Sequence, residues 1–219
     1  MLAGMGNTPE SARAFESLSR KYWQPIYAYL RWTGRSAHDA EDICQDLFAS
    51  LVQRNSLATV DPRKGRFRTF LLGALKHLLA DRTAAAGTQK RGGGWIAVPI
   101  DREEGDGAFQ LVAPAPTPEA AFDRSWGLRL LSSALNRLRA EFAAVGKAGQ
   151  FETLKPFLTE PPDRGDYTRA AQALGMTPGA VTVSVHRMRD RFRELVRDEA
   201  AQTLANAADL DEELRALFG

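Results

Sequence analysis

Apolar residues recur along most of the chain at spacings of three and four, the stride of one face of an α-helix. Phe15, Leu18, Tyr22, Ile26, Tyr29 and Leu30 form the first such row. Pro25 lies inside it and predicts a bend, because proline removes a backbone donor and crowds the preceding turn. Gly34 ends the row. Ser36 followed by Asp39 predicts an N-cap with a carboxylate in the first turn. Ala40, Ile43, Cys44, Leu47, Phe48, Leu51 and Val52 then recur at helical offsets, predicting an amphipathic helix of about five turns. A third row, Phe67, Phe70, Leu71, Ala74, Leu75, Leu78 and Leu79, follows a loop over Asn55 to Gly65 that is marked by Asp61-Pro62 and Gly65. These three helices predict one small domain over residues 10–90.

The pattern breaks at Gly92-Gly93-Gly94 and stays broken through Pro99, Gly105, Gly107, Pro114 and Pro116. A structureless run of this length is unusual inside a compact domain, so residues 91–118 read as a flexible linker. Helix resumes near Pro118, with Ala121, Phe122, Leu128, Leu131, Leu135 and Leu138 as expected core. Ala143 to Gly149 reads as a turn. Phe151, Leu154, Phe157 and Leu158 predict a short helix ended by Pro161-Pro162. A second domain over 119–203 closes with a compact unit from Asp166 to about Ala201, and 204–219 reads as a short tail helix that packs on its own domain or meets a partner. No strand-like alternation stands out. The expected fold class is all-α: two small helical domains joined by a flexible linker, the C-terminal one containing a helix-turn-helix.

Length and composition fit this picture. At 219 residues, 44% hydrophobic and 26% charged, the chain is an ordinary globular one of one or two domains. A lone cysteine, Cys44, excludes an internal disulfide and a cysteine-based zinc site, and reads as a small buried residue. No run approaches the roughly 20 apolar residues of a membrane span. Met1 to Glu10 has no signal-peptide pattern, so no membrane insertion and a cytoplasmic location are expected.

The net charge of +2 hides segregation. Residues 54–91 carry nine Lys/Arg against two Asp, 95–123 carry six acids against Arg102, and 176–197 carry five Arg against two acids. Two basic blocks flanking an acidic one suit two polyanion-binding surfaces, or simply solvated helix faces.

Three segments carry candidate chemistry. In the first, Tyr167 to Leu174 predicts a short helix, Gly175-Met176 a turn, Thr177 an N-cap and Pro178 the first position of a second helix. That second helix buries Val181, Val185, Met188, Phe192 and Leu195 and turns Thr182, His186, Arg187, Arg189 and Arg193 outward. This is a helix-turn-helix pattern. Its small residues, Gly179, Ala180, Thr182 and Ser184, allow close approach to base edges while arginines reach phosphates. His186 is either a base or phosphate contact or an exposed helix residue. In the second segment, the polar face of the Ala40–Val52 helix gathers Asp39, Glu41, Asp42, Gln45 and Asp46. Acids along one helix do not converge as a catalytic pair would, so a face for a basic protein partner is favoured over metal or acid–base chemistry. In the third, Arg63, Lys64, Arg66, Arg68, Lys76, Arg82, Lys90 and Arg91 interleave with Phe67 and Phe70. Single-stranded nucleic acid is bound by such sets, arginines on phosphates and aromatics on bases, although both Phe residues also continue the apolar row.

Asp39-Ala-Glu-Asp-Ile-Cys-Gln-Asp-Leu-Phe48, Phe67-Arg-Thr-Phe-Leu-Leu-Gly-Ala-Leu-Lys-His-Leu-Leu-Ala-Asp-Arg82 and the helix-turn-helix stand in the order seen in RNA polymerase sigma factors. The chain resembles the sigma-70 family, and within it the extracytoplasmic-function (ECF) group, over about residues 10–90 and 120–200. The resemblance implies a non-enzymatic subunit, without cofactor or metal, that binds core RNA polymerase and directs promoter recognition, melting and initiation. Asp39, Glu41, Asp42, Gln45, Asp46 and Phe48 would dock on the β′ clamp helices. Arg63, Lys64, Arg66, Arg68, Thr69, Phe70, Lys76, His77 and Arg82 would hold the −10 non-template strand. Thr177, Gly179, Ala180, Thr182, Ser184, His186, Arg187, Arg189 and Arg193 would read the −35 duplex, their domain also packing on the β flap. An anti-sigma factor is a further candidate partner. Two features depart from the family pattern. Ala140 to Gly165 is long, and Phe70 and His77 stand where members often show Trp and an Asn-like residue. The rival readings are a stand-alone helix-turn-helix regulator and, more remotely, a metal enzyme on the Asp39/Glu41/Asp42/Asp46 carboxylates.

Overall fold

The computed structural model describes residues 9–53, 67–89, 117–163, 165–204 and 206–219. The Asn55–Gly65 loop, Arg63, Lys64 and Arg66 and most of the expected linker lie outside them. Among the described residues there are eight α-helices and no strand. They are α1 (Pro9–Trp32), α2 (Ala37–Gln53), α3 (Phe67–Gln89), α4 (Pro118–Ala144), α5 (Ala148–Leu154), α6 (Asp166–Leu174), α7 (Pro178–Ala201) and α8 (Leu210–Phe218). Short 3-10 turns occupy Lys155–Leu158 and Ala207–Asp209.

The helix ends follow local chemistry. Gly34 closes α1 with φ 81°; the Arg35 N–H reaches the Leu30 carbonyl and the Gly34 N–H that of Arg31. Gly146 at φ 72° closes α4 in the same way, and Gly175 at φ 62° closes α6. Each pair of bonds satisfies carbonyls that a helix end would leave orphaned, in a backbone conformation that glycine adopts without strain. At the starts, the Ser36 hydroxyl accepts from the Asp39 N–H at 3.1 Å, Thr117 from Ala120 at 3.1 Å and Thr177 from Ala180 at 3.2 Å. Pro25 does not end α1, which is continuous through it.

The chain divides into two compact units, Met1–Arg129 with Thr203–Gly219, and Leu130–Gln202. The division falls inside α4, not at residue 119, and the last residues group with the N-terminal helices, not with the preceding helix. The first unit is cored by Tyr22, Ile26, Leu30, Ile43, Leu47, Leu71, Leu75, Phe122 and Trp126, with Tyr22 stacked on Trp126 at 4.5 Å between centroids. Cys44 is fully buried there, and desolvation pushes its thiol up to about 12. The second unit is cored by Leu138, Phe151, Leu154, Val181, Val185, Met188 and Leu195.

The face that α4 buries differs from expectation. Phe122, Trp126, Leu130, Ala134 and Leu138, each four residues apart, are buried, while Leu128 is 45% exposed and Leu131 and Leu135 are half-buried. With leucines crowded at 128, 130 and 131, the apolar pattern alone does not select one face.

Candidate functional site

On α2 the apolar positions Ala40, Ile43, Cys44, Leu47, Phe48 and Leu51 are buried, leaving Asp39, Glu41, Asp42, Gln45 and Asp46 exposed together. Phe48 does not share that face. It is 2% exposed, with its ring parallel to that of Trp23 at 6.2 Å, because its position at i+4 from Cys44 and i+5 from Ile43 turns it to the core. The acidic face is therefore purely polar. Asp46 is ion-paired with Arg82 of α3, and Asp42 lies 3.6 Å from His38.

On α3, Leu71 and Leu75 point inward while Thr69, Lys76, His77 and Arg82 are exposed. Phe67 and Phe70 are half-buried and lean on each other at 5.8 Å, Phe67 also meeting Tyr22 edge-on at 5.0 Å. Both thus belong to the rim of the core and keep part of their rings in reach of solvent. The described cations of this helix are engaged. Lys76 Nζ sits 2.7 Å from Glu119 Oε1. The hydrogen bond raises the Lys76 ammonium and lowers the Glu119 carboxyl from their ordinary values. A lowered carboxyl stabilises the fold above its ordinary pKa and loses that contribution as pH falls through the lowered value; half-exposed as both groups are, the effect is small.

Arg68 departs from the expected strand-contact role. Its side chain is 10% exposed, its Nη1 pairs with Asp123, and its Nε lies 2.8 Å from Glu213 Oε1 on α8, where Glu213 is 1% exposed. Its position between Phe67 and Phe70 on the helix turns it toward the packed side, where those two carboxylates await it.

In the Leu130–Gln202 unit, α6 and α7 pack on each other across Gly175–Thr177. Val181, Val185, Met188 and Leu195 are buried as expected, and Phe192 is half-buried. Thr177, Gly179, Thr182, His186, Arg187 and Arg193 are exposed; Ala180 and Ser184 are half-buried. The Thr182 hydroxyl donates back to the Pro178 carbonyl at 3.0 Å, His186 Nδ1 lies 2.8 Å from Asp190, and Arg193 pairs with the same carboxylate at 2.6 Å. Arg189 is not outward. Its Nε and Nη2 donate to the Phe157 carbonyl at 2.8 and 2.6 Å, because a residue four beyond buried Val185 lies on the flank of the packed face. Arg191 holds Glu141 through two nitrogens at 2.7 and 2.9 Å, which keeps the Glu141 carboxyl below its ordinary range. One residue went unread from the sequence. Val183 is 49% exposed, one helical turn before His186 and Arg187. An apolar side chain there suits contact with a thymine methyl, and its only sequence signal is its place midway between two buried valines.

Among the described residues, no group of three or more His, Cys, Asp or Glu is placed to hold a metal, and no helix is long and apolar enough to cross a membrane. Residues 18–88, the span of α1 through α3, match the family model for Sigma-70 region 2. No curated protein and no solved structure matches the chain significantly.

Proposed function

We propose that this protein is a promoter-specificity subunit of RNA polymerase, of the extracytoplasmic-function type. The observation that carries the reading is the coincidence of the Sigma-70 region 2 match with α1–α3, where α2 exposes a polar face rich in carboxylates and α3 carries ion-paired cations beside half-buried aromatic rings. In this reading Asp39, Glu41, Asp42 and Gln45 dock on the clamp helices of the β′ subunit. Phe70, Thr69, Lys76 and His77 then hold the unstacked −10 strand. Unstacking costs a few kcal/mol per step, which captured bases and phosphate contacts offset. In the second unit, the α6–turn–α7 pair acts as a helix-turn-helix. Thr182, Val183 and His186 face bases of the −35 duplex, and Arg187 and Arg193 its phosphates, with the domain resting on the β flap. The protein performs no covalent chemistry and works in the cytoplasm; an anti-sigma factor is a candidate regulator.

The test is retention of the purified full chain on core polymerase without DNA, followed by run-off transcription. Asp42→Lys should weaken core retention while leaving duplex binding by α7 unchanged. Asp46 is the poorer choice, because its reversal also breaks the pair with Arg82. A chain that binds operator DNA but neither core polymerase nor its clamp helices is a stand-alone regulator, and the reading fails.

A further inference from the structure

Two carboxylates from distant parts of the chain, Asp123 and Glu213, hold the guanidinium of Arg68. A phosphate group would meet the same guanidinium with the same kind of charge, anionic oxygens against its nitrogens. Glu119, one turn before Asp123, holds Lys76 of the same helix. Arg68 and Lys76 of α3 are thus already paired with the protein's own anions, and Arg68 is nearly buried among them. Glu213 belongs to α8, whose first turn also carries Asp211 and Glu212.

Among the described residues of this segment only Glu213 is buried. The Thr203 side chain hydrogen-bonds Tyr22, Glu213 pairs with Arg68, and Phe218 rests on Gly127, where an added Cβ would meet the Phe218 ring at 3.2 Å. Phe218 itself stays 44% exposed. With nine residues, α8 is shorter than the roughly 12–15 at which isolated helices become even marginal in water. It is helical because it is docked.

We propose that Thr203–Gly219 is a displaceable anionic cap that keeps Arg68 of α3 from nucleic acid in the free protein, and that a polyanionic strand competes it away. The inference rests on the reading of α3 as the strand-capturing helix. Displacement is a competition for one guanidinium: a phosphate takes the place of Glu213, and α8 with its acidic first turn is released to water. A site open only a tenth of the time binds about tenfold more weakly than the open site, so the cap raises the threshold for strand capture.

The experiment measures binding of a fluorescein-labelled, mixed-sequence single-stranded DNA to the full chain, to Gly127→Leu, whose side chain enters the space of the Phe218 ring, to Glu213→Gln, and to the chain lacking Thr203–Gly219. The three variants should bind about tenfold more tightly than the parent. The slope of log affinity against log salt should steepen by about 0.7 for the one cation released. Hydrogen exchange of the parent supplies a readout that needs no variant: adding the DNA should accelerate exchange across Leu210–Phe218. Unchanged or weaker binding by the variants, or undiminished protection of α8 with DNA bound, overturns the cap and leaves the segment a fixed brace. Core-polymerase retention on the same preparations separates the two readings. Retention without any gain in strand binding sinks the cap alone. A gain without retention sinks the sigma factor reading and leaves the cap standing.

Discussion

Glu199 shows how little a single residue's place in the sequence says about its surroundings. Between Asp198 and Ala200 near the end of α7 it reads as one more solvated acid, yet it is 9% exposed. The Ser133 hydroxyl donates to its Oε2 at 2.8 Å, and Arg137 Nη1 to its Oε1 at 2.8 Å. Both donors stand on α4, one turn apart, within the same compact unit. A nearly buried carboxylate is tolerated only when its oxygens are bonded and its charge is met. Removing Arg137 takes away the charge partner, so Arg137→Met should lower the urea stability of this unit by about 1–3 kcal/mol. Ser133→Ala removes one bond and should cost about 1 kcal/mol. Because both donors serve one carboxylate, the double variant should lose less or more than the sum by at least about 0.5 kcal/mol. Strictly additive losses would mean that Glu199 swings out to water and that the network does not hold α4 against α7.

At the scale of elements, the legible parts were those set by neighbours close in sequence. The amphipathic stripe of α2, the Ser36 and Thr177 caps and the glycine stops at Gly34 and Gly175 depend on residues within a few positions of each other, and all are present. The buried face of α7 was legible for the same reason. What escaped was any side chain whose environment comes from elsewhere. Arg189 and Arg187 look alike two positions apart, but the Phe157 carbonyl that engages Arg189 lies in a 3-10 turn that no helical period reveals. Arg68 looks like a phosphate contact until Asp123 and Glu213 are seen beside it. The two arginines of α7 therefore separate in a duplex-binding experiment. Arg187→Ala should weaken binding and flatten the slope of log affinity against log salt by about 0.9, the loss of one phosphate contact. Arg189→Ala should leave that slope alone and lower thermal stability, since it removes both guanidinium hydrogen bonds to the Phe157 carbonyl. Equal slope changes for both would return Arg189 to the interface.

For the whole molecule, the placement of tryptophan turns the two-unit division into a measurement. The described tryptophans, Trp23, Trp32 and Trp126, all belong to the first unit, and Leu130–Gln202 contains none. Tryptophan fluorescence thus follows the unit that carries the Sigma-70 region 2 match, whereas far-ultraviolet circular dichroism follows the helices of both. Each unit has its own core of fully buried side chains, which is the condition for separate unfolding. Thr177→Ala removes the hydroxyl that caps α7 and should cost about 1 kcal/mol, or about 4–8 °C in the midpoint of a unit this small. If the units unfold separately, dichroism registers that shift as an earlier phase and the fluorescence midpoint stays where it was. If the two probes move together, α4, which gives residues to both units, binds them into a single cooperative block. The outcome also bears on function. Separate transitions would let α7, the proposed −35 reader, loosen without disturbing α1–α3, while a shared one would make any lesion in α7 a lesion in the proposed strand-capturing helix as well.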